Sequence, residues 1–313
     1  MDYKEKIDSL VGNIEKIFLG KTKTVKLCIA GVLARGHILI EDVPGIGKTT
    51  LAQAIAKSMN CKFNRIQFTS DMLPSDILGV SVLNPQKADF EFRRGPIFAN
   101  VVLADEINRT PPKTQSALLE AMSEYQISMD GQTYQLPKPF VVIATQNPIE
   151  YEGTYSLPES QLDRFLLRLD IGYPPSEEEM LIMRRGDVFK EINELSPVIS
   201  AEEIIELQEH VRKITVEDSV TFYMLQIVER TRTHPDVELG LSPRGSQSLY
   251  VASQAWAVIN GRDYVTPNDV KEMAEPVIAH RLILKSRTFN LSKLAEERRK
   301  VVQNIIDNVP LPR

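Results

Sequence analysis

The stretch Glu41-Asp42-Val43-Pro44-Gly45-Ile46-Gly47-Lys48-Thr49-Thr50 carries residue types that hold a phosphate group. Glycines let backbone N–H groups approach an anion, a lysine answers the β and γ oxygens of a nucleotide, and a threonine hydroxyl is a hard ligand for Mg²⁺. The strict pattern G-x-x-x-x-G-K-[ST] fails at its first position, where Asp42 replaces glycine. The reading therefore rests on Pro44 to Thr50 in their context, a short apolar run (Ile38 to Ile40) before the turn and Leu51, Ala54, Ile55 and Met59 at helical spacing after it. Strand, tight turn and helix in that order set backbone donors and a helix N-terminus behind one anion.

Two more buried runs supply the remaining chemistry. Val101 to Ala104 ends in Asp105-Glu106, which puts Asp105 at a strand tip to hold Mg²⁺ through water and leaves Glu106 to activate an attacking water. Phe140 to Ala144 runs into Thr145-Gln146-Asn147-Pro148, where the Asn147 amide suits a hydrogen bond to a γ-phosphate and to that water, with Thr145 and Gln146 supporting the turn. An acidic pair of this kind favours water over an acceptor hydroxyl, and no Asn-Lys-x-Asp string of the guanine-reading type occurs. The set points to ATP, Mg²⁺ and hydrolysis.

These residues need a frame that brings strand ends together. Buried runs at Ile38 to Ile40, Cys61 to Phe68, Val101 to Ala104, Phe140 to Ala144 and Phe165 to Ile171 alternate with helical patterns such as Thr110 to Tyr125, which predicts an α/β domain with a parallel sheet covered on both faces. Period-2 patterns at Val80 to Val82 with Phe90 to Phe92, and at Gln126 to Met129 with Thr133 to Leu136 across Asp130-Gly131, predict two inserted hairpins. Ile7, Leu10, Val11, Ile14 and Phe18 predict an opening amphipathic helix ended by Gly20. After Pro174-Pro175 helix starts take over. Ser176 with Glu179, Ser200 with Glu203, Thr215 with Asp218 and Thr266 with Asp269 have capping-box spacing, Ser242-Pro243 starts a further helix, and Asn260-Gly261 ends it. The expected division is a catalytic domain with the N-terminal helix (1–174) and an all-helical domain (175–313).

Composition narrows the field. The 313 residues carry 37 Lys+Arg against 42 Asp+Glu, a formal net charge of −5, which speaks against a global nucleic-acid binder. Cys28 and Cys61 make neither a disulfide framework nor a zinc site alone, so a reducing cytoplasm is the expected location. His37, His210, His234 and His280 have no metal-ligand spacing, and no apolar run of about 18 residues is present to span a membrane.

The phosphate loop, the block Leu103-Ala104-Asp105-Glu106-Ile107-Asn108-Arg109-Thr110-Pro111-Pro112, the helix Gln115 to Met122, and Glu152-Gly153-Thr154-Tyr155 through Leu157-Pro158-Glu159 to Gln161-Leu162-Asp163-Arg164-Phe165 resemble the MoxR family of AAA+ ATPases. The resemblance runs from about Ile17 into the second half. It implies a P-loop core of strand order 5-1-4-3-2, an α-helical lid, and a homo-oligomeric ring, commonly a hexamer, with nucleotide between neighbours. It further implies Asn147 as sensor 1, Arg164 as an arginine finger acting on the neighbour's ATP, Arg244 as sensor 2, and Ile17, Phe18, Leu19 and Gly20 as the border of the adenine. The implied role is chaperone-like maturation of protein complexes or insertion of metal cofactors, acting on a client protein, often with a partner carrying a von Willebrand factor A domain. The alternative is a nucleic-acid motor or transcription activator of the same clade, which needs a basic stripe and a separate DNA reader. Arg93-Arg94 is a small patch, and the lid consumes most of residues 175–313. The acid-pair reading predicts that Glu106→Gln binds ATP without turning it over, and undiminished turnover in a steady-state phosphate-release assay would remove Glu106 from the base role.

Overall fold

The computed structural model describes residues 3–86, 89–147, 155–286 and 291–312. Helix α1 (Tyr3–Glu15) buries Ile7, Leu10, Val11 and Ile14 as the periodicity requires, but it stops at Glu15. Phe18 therefore lies beyond the helix, in a turn where Gly20 takes φ +71°. Helix α2 (Thr22–Leu33) follows, with Val25 and every residue from Leu27 to Leu33 buried. From Leu27 onward this helix is apolar on every side, and such a run carries no 3.6-residue signature, which is why the periodicity did not reveal it.

Strand β1 (Ile38–Glu41) leads through the glycine turn to α3 (Lys48–Ser58), then β2 (Phe63–Gln67), the short α4 (Pro74–Leu78) and the hairpin β3 (Gly79–Asn84) with β4 (Asp89–Arg94). Strand β5 (Val101–Asp105) and α5 (Pro112–Glu124) precede the second hairpin, β6 (Gln126–Met129) with β7 (Gln132–Gln135). Its two-residue turn puts Asp130 and Gly131 both at positive φ, 51° and 76°, the geometry that matches strand twist. Strand β8 (Val141–Gln146), the short α6 (Glu159–Leu162) and β9 (Leu167–Leu169) complete this half.

The main sheet runs β2-β5-β8-β1-β9, with every neighbouring pair parallel. Renumbered along the chain, this is the expected order 5-1-4-3-2. Pleating sends Ile38, Ile40, Leu103 and Ile143 to one face, against α1, α2 and α3, and Leu39, Val102, Ala104 and Val142 to the other, against α4, α5 and the hairpins. Both faces are dry, so the central strands read as continuous apolar runs.

The second half is α7 (Ser176–Arg184), α8 (Val188–Glu194), α9 (Ala201–Val211), α10 (Asp218–Thr233), β10 (Val237–Leu239), α11 (Pro243–Ile259), α12 (Pro267–Ile278), β11 (Ile283–Leu284) and α13 (Leu291–Asn308), with β10 and β11 a small antiparallel pair. Ser200 and Thr266 cap α9 and α12 with reciprocal bonds to Glu203 and Asp269, and Ser242 accepts from Gly245 N–H at the start of α11. Two expected caps fail. Extended Pro175 precedes α7 and makes Ser176 its first helical residue. Thr215 is held extended by Asp263 and Val265, its N–H donating to Asp263 O at 3.1 Å, so α10 begins behind Glu217. One apolar cluster joins α1, α2 and a sheet face to Leu207, Trp256, Ile278 and Ile305 of the second half.

His37 and His280 are buried cross-links. His37 Nε2–H donates to Met122 O at 2.9 Å and Nδ1 accepts from Val142 N–H at 3.0 Å, so the ring is neutral, and burial pushes its pKa down to about 4. His280 faces Phe165 O at 3.1 Å and burial also holds it well below the usual value. For a histidine depressed on folding, the stabilising contribution is full above the unfolded pKa near 6.5 and is lost as pH falls toward the folded value. Folding stability measured by denaturant melts is therefore expected to drop between pH 7 and pH 5, and His37→Gln should shrink that drop by about 2 kcal/mol. An unchanged drop would show that His37 is accessible to protons in the folded chain.

A candidate nucleotide site and a second set of arginines

At the turn after β1, Gly45 and Gly47 take φ +86° and +88°, which only glycine adopts readily. A Cβ at Gly45 would meet nothing within 4 Å, so the approach to its backbone is open, while one at Gly47 would stand 3.1 Å from the Phe18 ring. Helix α3 begins at Lys48 without a side-chain cap, and the N–H groups of Lys48, Thr49 and Thr50 in its first turn suit an anion. Lys48 Nζ donates to Asp42 O. Next to this turn lies a cavity of about 340 Å³ lined by Ile17, Phe18, Leu19, Pro44, Gly45, Ile46, Gly47 and Thr50 on one side and by Ile171, Tyr173, Ile182 and Val188 on the other. Arg185 fixes its wall by donating to Ile17 O at 2.6 Å and to Lys16 O. Gly20 lies just outside that lining.

The two acids stand at the end of β5. Asp105 Oδ1 accepts from Thr145 Oγ at 2.6 Å and Oδ2 from Arg65 Nη2 at 2.6 Å. Glu106 sits in the left-handed region at φ +58°, a placement that costs a non-glycine residue about 1 kcal/mol, and Thr145 Oγ steadies it by accepting its N–H at 2.9 Å. Its carboxylate accepts from Gln67 Nε2 at 2.8 Å and pairs with Arg109 at 3.3 Å. Arg109, whose role the sequence left open, thus touches the candidate base. Asn147 follows β8 and is buried. Pro148 and Glu152-Gly153-Thr154 lie outside the described residues. The donor set fits a nucleotide with Mg²⁺: the Thr49 hydroxyl and the Asp105 carboxylate are the hard oxygens that ion prefers.

Sequence reading missed Arg65, Gln67 and the use of Asp42. Arg65 and Gln67 alternate on β2 beside the acid strand, and that two-residue polar spacing at a strand end was the available signal. Asp42 Oδ1 accepts from Val43 N–H at 2.8 Å, and Oδ2 accepts from Ile171 and Gly172 N–H at 2.8 and 2.6 Å. The residue that breaks the strict phosphate-loop pattern ties the loop to the exit of β9.

Arg164 and Arg244 are elsewhere. Both line a cavity of about 850 Å³ with Gly36 and His37, at the entry to β1, whereas the glycine turn leaves its exit. Four strand residues at about 3.3 Å each set roughly 13 Å between those ends before the turn is added. Arg164 donates to Leu119 O at 3.0 Å and Ser123 Oγ at 2.5 Å. Its neighbour Asp163 accepts from Arg281 Nε at 2.7 Å and from Ser242 Oγ at 3.4 Å, so the second half grips this segment. Burial pushes the Arg281 pKa down to about 10, with Asp163 opposing that shift.

The profile of the ATPase family associated with various cellular activities (AAA) matches residues 37–167, and that of the AAA lid domain matches 229–305. The Bacillus subtilis protein YeaC is 51% identical over 91% of this chain and 90% of its own length. Chaperone MoxR1 of Mycobacterium tuberculosis is 38% identical over 98% of this chain and 82% of its own. The chain belongs to the MoxR family of AAA+ ATPases. A solved structure from Cytophaga hutchinsonii, described as a candidate ATPase, superposes with a TM-score of 0.89 at 36% identity, covering 99% of this chain and 96% of that one.

In this MoxR-family chain the strand ends are also wired together. Glu41, the last residue of β1, accepts from Gln146 Nε2 and pairs with Arg168 of β9. Arg168 lies 3.7 Å from Asp170, which accepts from Arg299 of α13 at 2.6 Å. Asp42 is the tightest of these links, with three N–H donors on one carboxylate. Asp42→Gly, which restores the strict pattern, is expected to lower unfolding free energy by about 2 kcal/mol and to leave nucleotide affinity no higher. Wild-type stability in the glycine variant would show the tether to be dispensable.

Proposed function

We propose that this chain hydrolyses ATP with Mg²⁺ in a homo-oligomeric, hexameric ring and uses the cycle to remodel client proteins, in complex maturation or in metal or cofactor insertion. The observation that carries the reading is the separation of the phosphate turn from Arg164 and Arg244 by the length of the sheet. A nucleotide on one chain's turn meets these arginines only if another copy supplies them.

In this reading Lys48 and the N–H groups of Gly45 to Thr50 hold the phosphates, and Ile17, Phe18, Leu19 and Gly20 border the adenine. Thr49 and Asp105 hold Mg²⁺, which neutralises charge on the phosphate oxygens when bound. Glu106, aimed by Gln67 and Thr145, takes a proton from the attacking water, and Asn147 orients that water against the γ-phosphate. Arg164 acts as finger and Arg244 as sensor 2. We assign residues 1–174 to the catalytic domain and 175–313 to the lid. Among the described residues no helix is long and apolar enough to cross a membrane. The free thiols Cys28 and Cys61 suit a reducing cytoplasm. The likeness to chaperone MoxR1 supports a protein client, and a von Willebrand factor A protein is the partner class we favour.

An arginine finger typically contributes 10³ to 10⁵ in rate, about 4 to 7 kcal/mol. Purified Arg164→Ala should hydrolyse ATP at least about 10³-fold more slowly than wild type under ring-forming conditions, and wild-type specific activity should rise with protein concentration. A wild-type rate in Arg164→Ala would remove the finger role.

A further inference from the structure

Helix α7 is one wall of the cavity beside the phosphate turn, through Glu179 and Ile182, yet none of its residues is buried. Apolar packing therefore does little to hold that wall in place. Glu178 and Arg185 join it to the opposite wall. The Glu178 side chain lies over Gly20 so closely that a Cβ at Gly20 would stand 2.7 Å from Glu178 Cγ.

The chain around Arg185 aims its side chain. Helix α7 ends there, Arg185 turning extended at ψ 146° while its N–H donates to Ile182 O at 3.1 Å. Asp187 then caps α8 by accepting from Phe189 N–H at 2.9 Å, and α8 is anchored, with Ile192 buried in the core. Glu191 of α8 pairs with Arg185 Nε at 2.8 Å. On the other side Nη1 donates to Ile17 O at 2.6 Å and Nη2 to Lys16 O. Those carbonyls lie just past the end of α1, outside the helix's own bonding, where a cation also meets the negative end of the helix dipole. The planar guanidinium fork thus joins the base border, the corner between α7 and α8, and the anchored helix.

We infer that Arg185 is a positioning residue for the base of the nucleotide: it holds the α7 wall against Ile17 to Gly20 and so sets the part of the affinity that the base supplies. This role rests on the reading of Ile17 to Gly20 as the adenine border. A wall fixed before the ligand arrives spares the cost of ordering it on binding, so loosening it weakens the base contribution and spares the phosphate contribution. A lysine would keep the charge but not the fork that answers two carbonyls and a carboxylate together.

The test compares ADP with inorganic pyrophosphate, each with Mg²⁺, on full-length wild-type and Arg185→Ala chains by isothermal titration calorimetry. Both ligands engage the phosphate turn, and ADP alone carries a base. Arg185→Ala should raise the ADP Kd about tenfold, the weight of one charge-assisted anchor, and leave the pyrophosphate Kd within about twofold of wild type. An unchanged ADP Kd overturns the role, and so does an equal loss for both ligands, which is what a general structural defect would give. Should Arg185→Ala fail to fold, Glu191→Ala removes the brace from a partly exposed position and should raise the ADP Kd alone, by about threefold, and no change there counts against the role. A wild-type chain that binds ADP no more tightly than pyrophosphate removes the base-site reading itself. A preference for ADP that Arg185→Ala keeps in full leaves that reading standing and removes the role of Arg185.

Discussion

The polarity of the parallel sheet governs the rest of this structure. Because all five strands point the same way, everything that follows a strand collects at one edge and everything that precedes one collects at the other. The glycine turn, Asp105, Glu106 and Asn147 all follow strands. His37 and Arg164 precede them, and Arg244 shares their cavity. A chain built this way brings the phosphate turn, Asp105, Glu106 and Asn147 together without any long-range adjustment, and it holds Arg164 away from its own phosphate turn.

Holding the edges in register needs polar contacts in places where apolar packing alone would serve for stability. Asp42 gathers the backbone of the β9 exit, Glu41 joins Gln146 and Arg168, and Asp163 is held by Arg281 and Ser242. Removing one partner of such a group leaves the other buried and unpaired, so these contacts fix geometry more than they add net stability. The Asp163 contact ties the first half to Arg281 and Ser242 of the second, and Glu41 reaches Arg299 of α13 through Arg168 and Asp170. A shift of α13 or of the turn before α11 would be felt at the end of β1 or beside Arg164.

Much of this was legible in the residues. The glycine turn, the acid strand and the Asp130-Gly131 hairpin are written in local chemistry, and the resemblance gave the strand order that the sheet adopts. Helix α2 was not, because its run from Leu27 to Leu33 is buried on every side and has no polar stripe. The Ser176 and Thr215 caps failed because helix starts depend on where the backbone leaves the extended conformation. Pro175 and the bridge from Thr215 to Tyr264 decide that, and spacing does not encode it. The roles of Asp42, Arg65 and Gln67 depend on partners distant in sequence, Ile171 with Gly172, Asp105 and Glu106, so no motif displays them. Roles assigned to single residues from motifs therefore stand on different footing from the contacts that aim them.

The proposed site joins one chain's phosphate turn to another chain's Arg164. Mixing Lys48→Ala, which lacks a working phosphate site but keeps its finger, with Arg164→Ala, which keeps the site but lacks the finger, isolates that pairing. Neither variant is expected to hydrolyse ATP alone, and the mixture should recover activity at the junctions where an intact turn meets an intact finger. A mixture as inactive as its parts, with assembly verified, would place the finger in the same chain as the nucleotide and contradict the account.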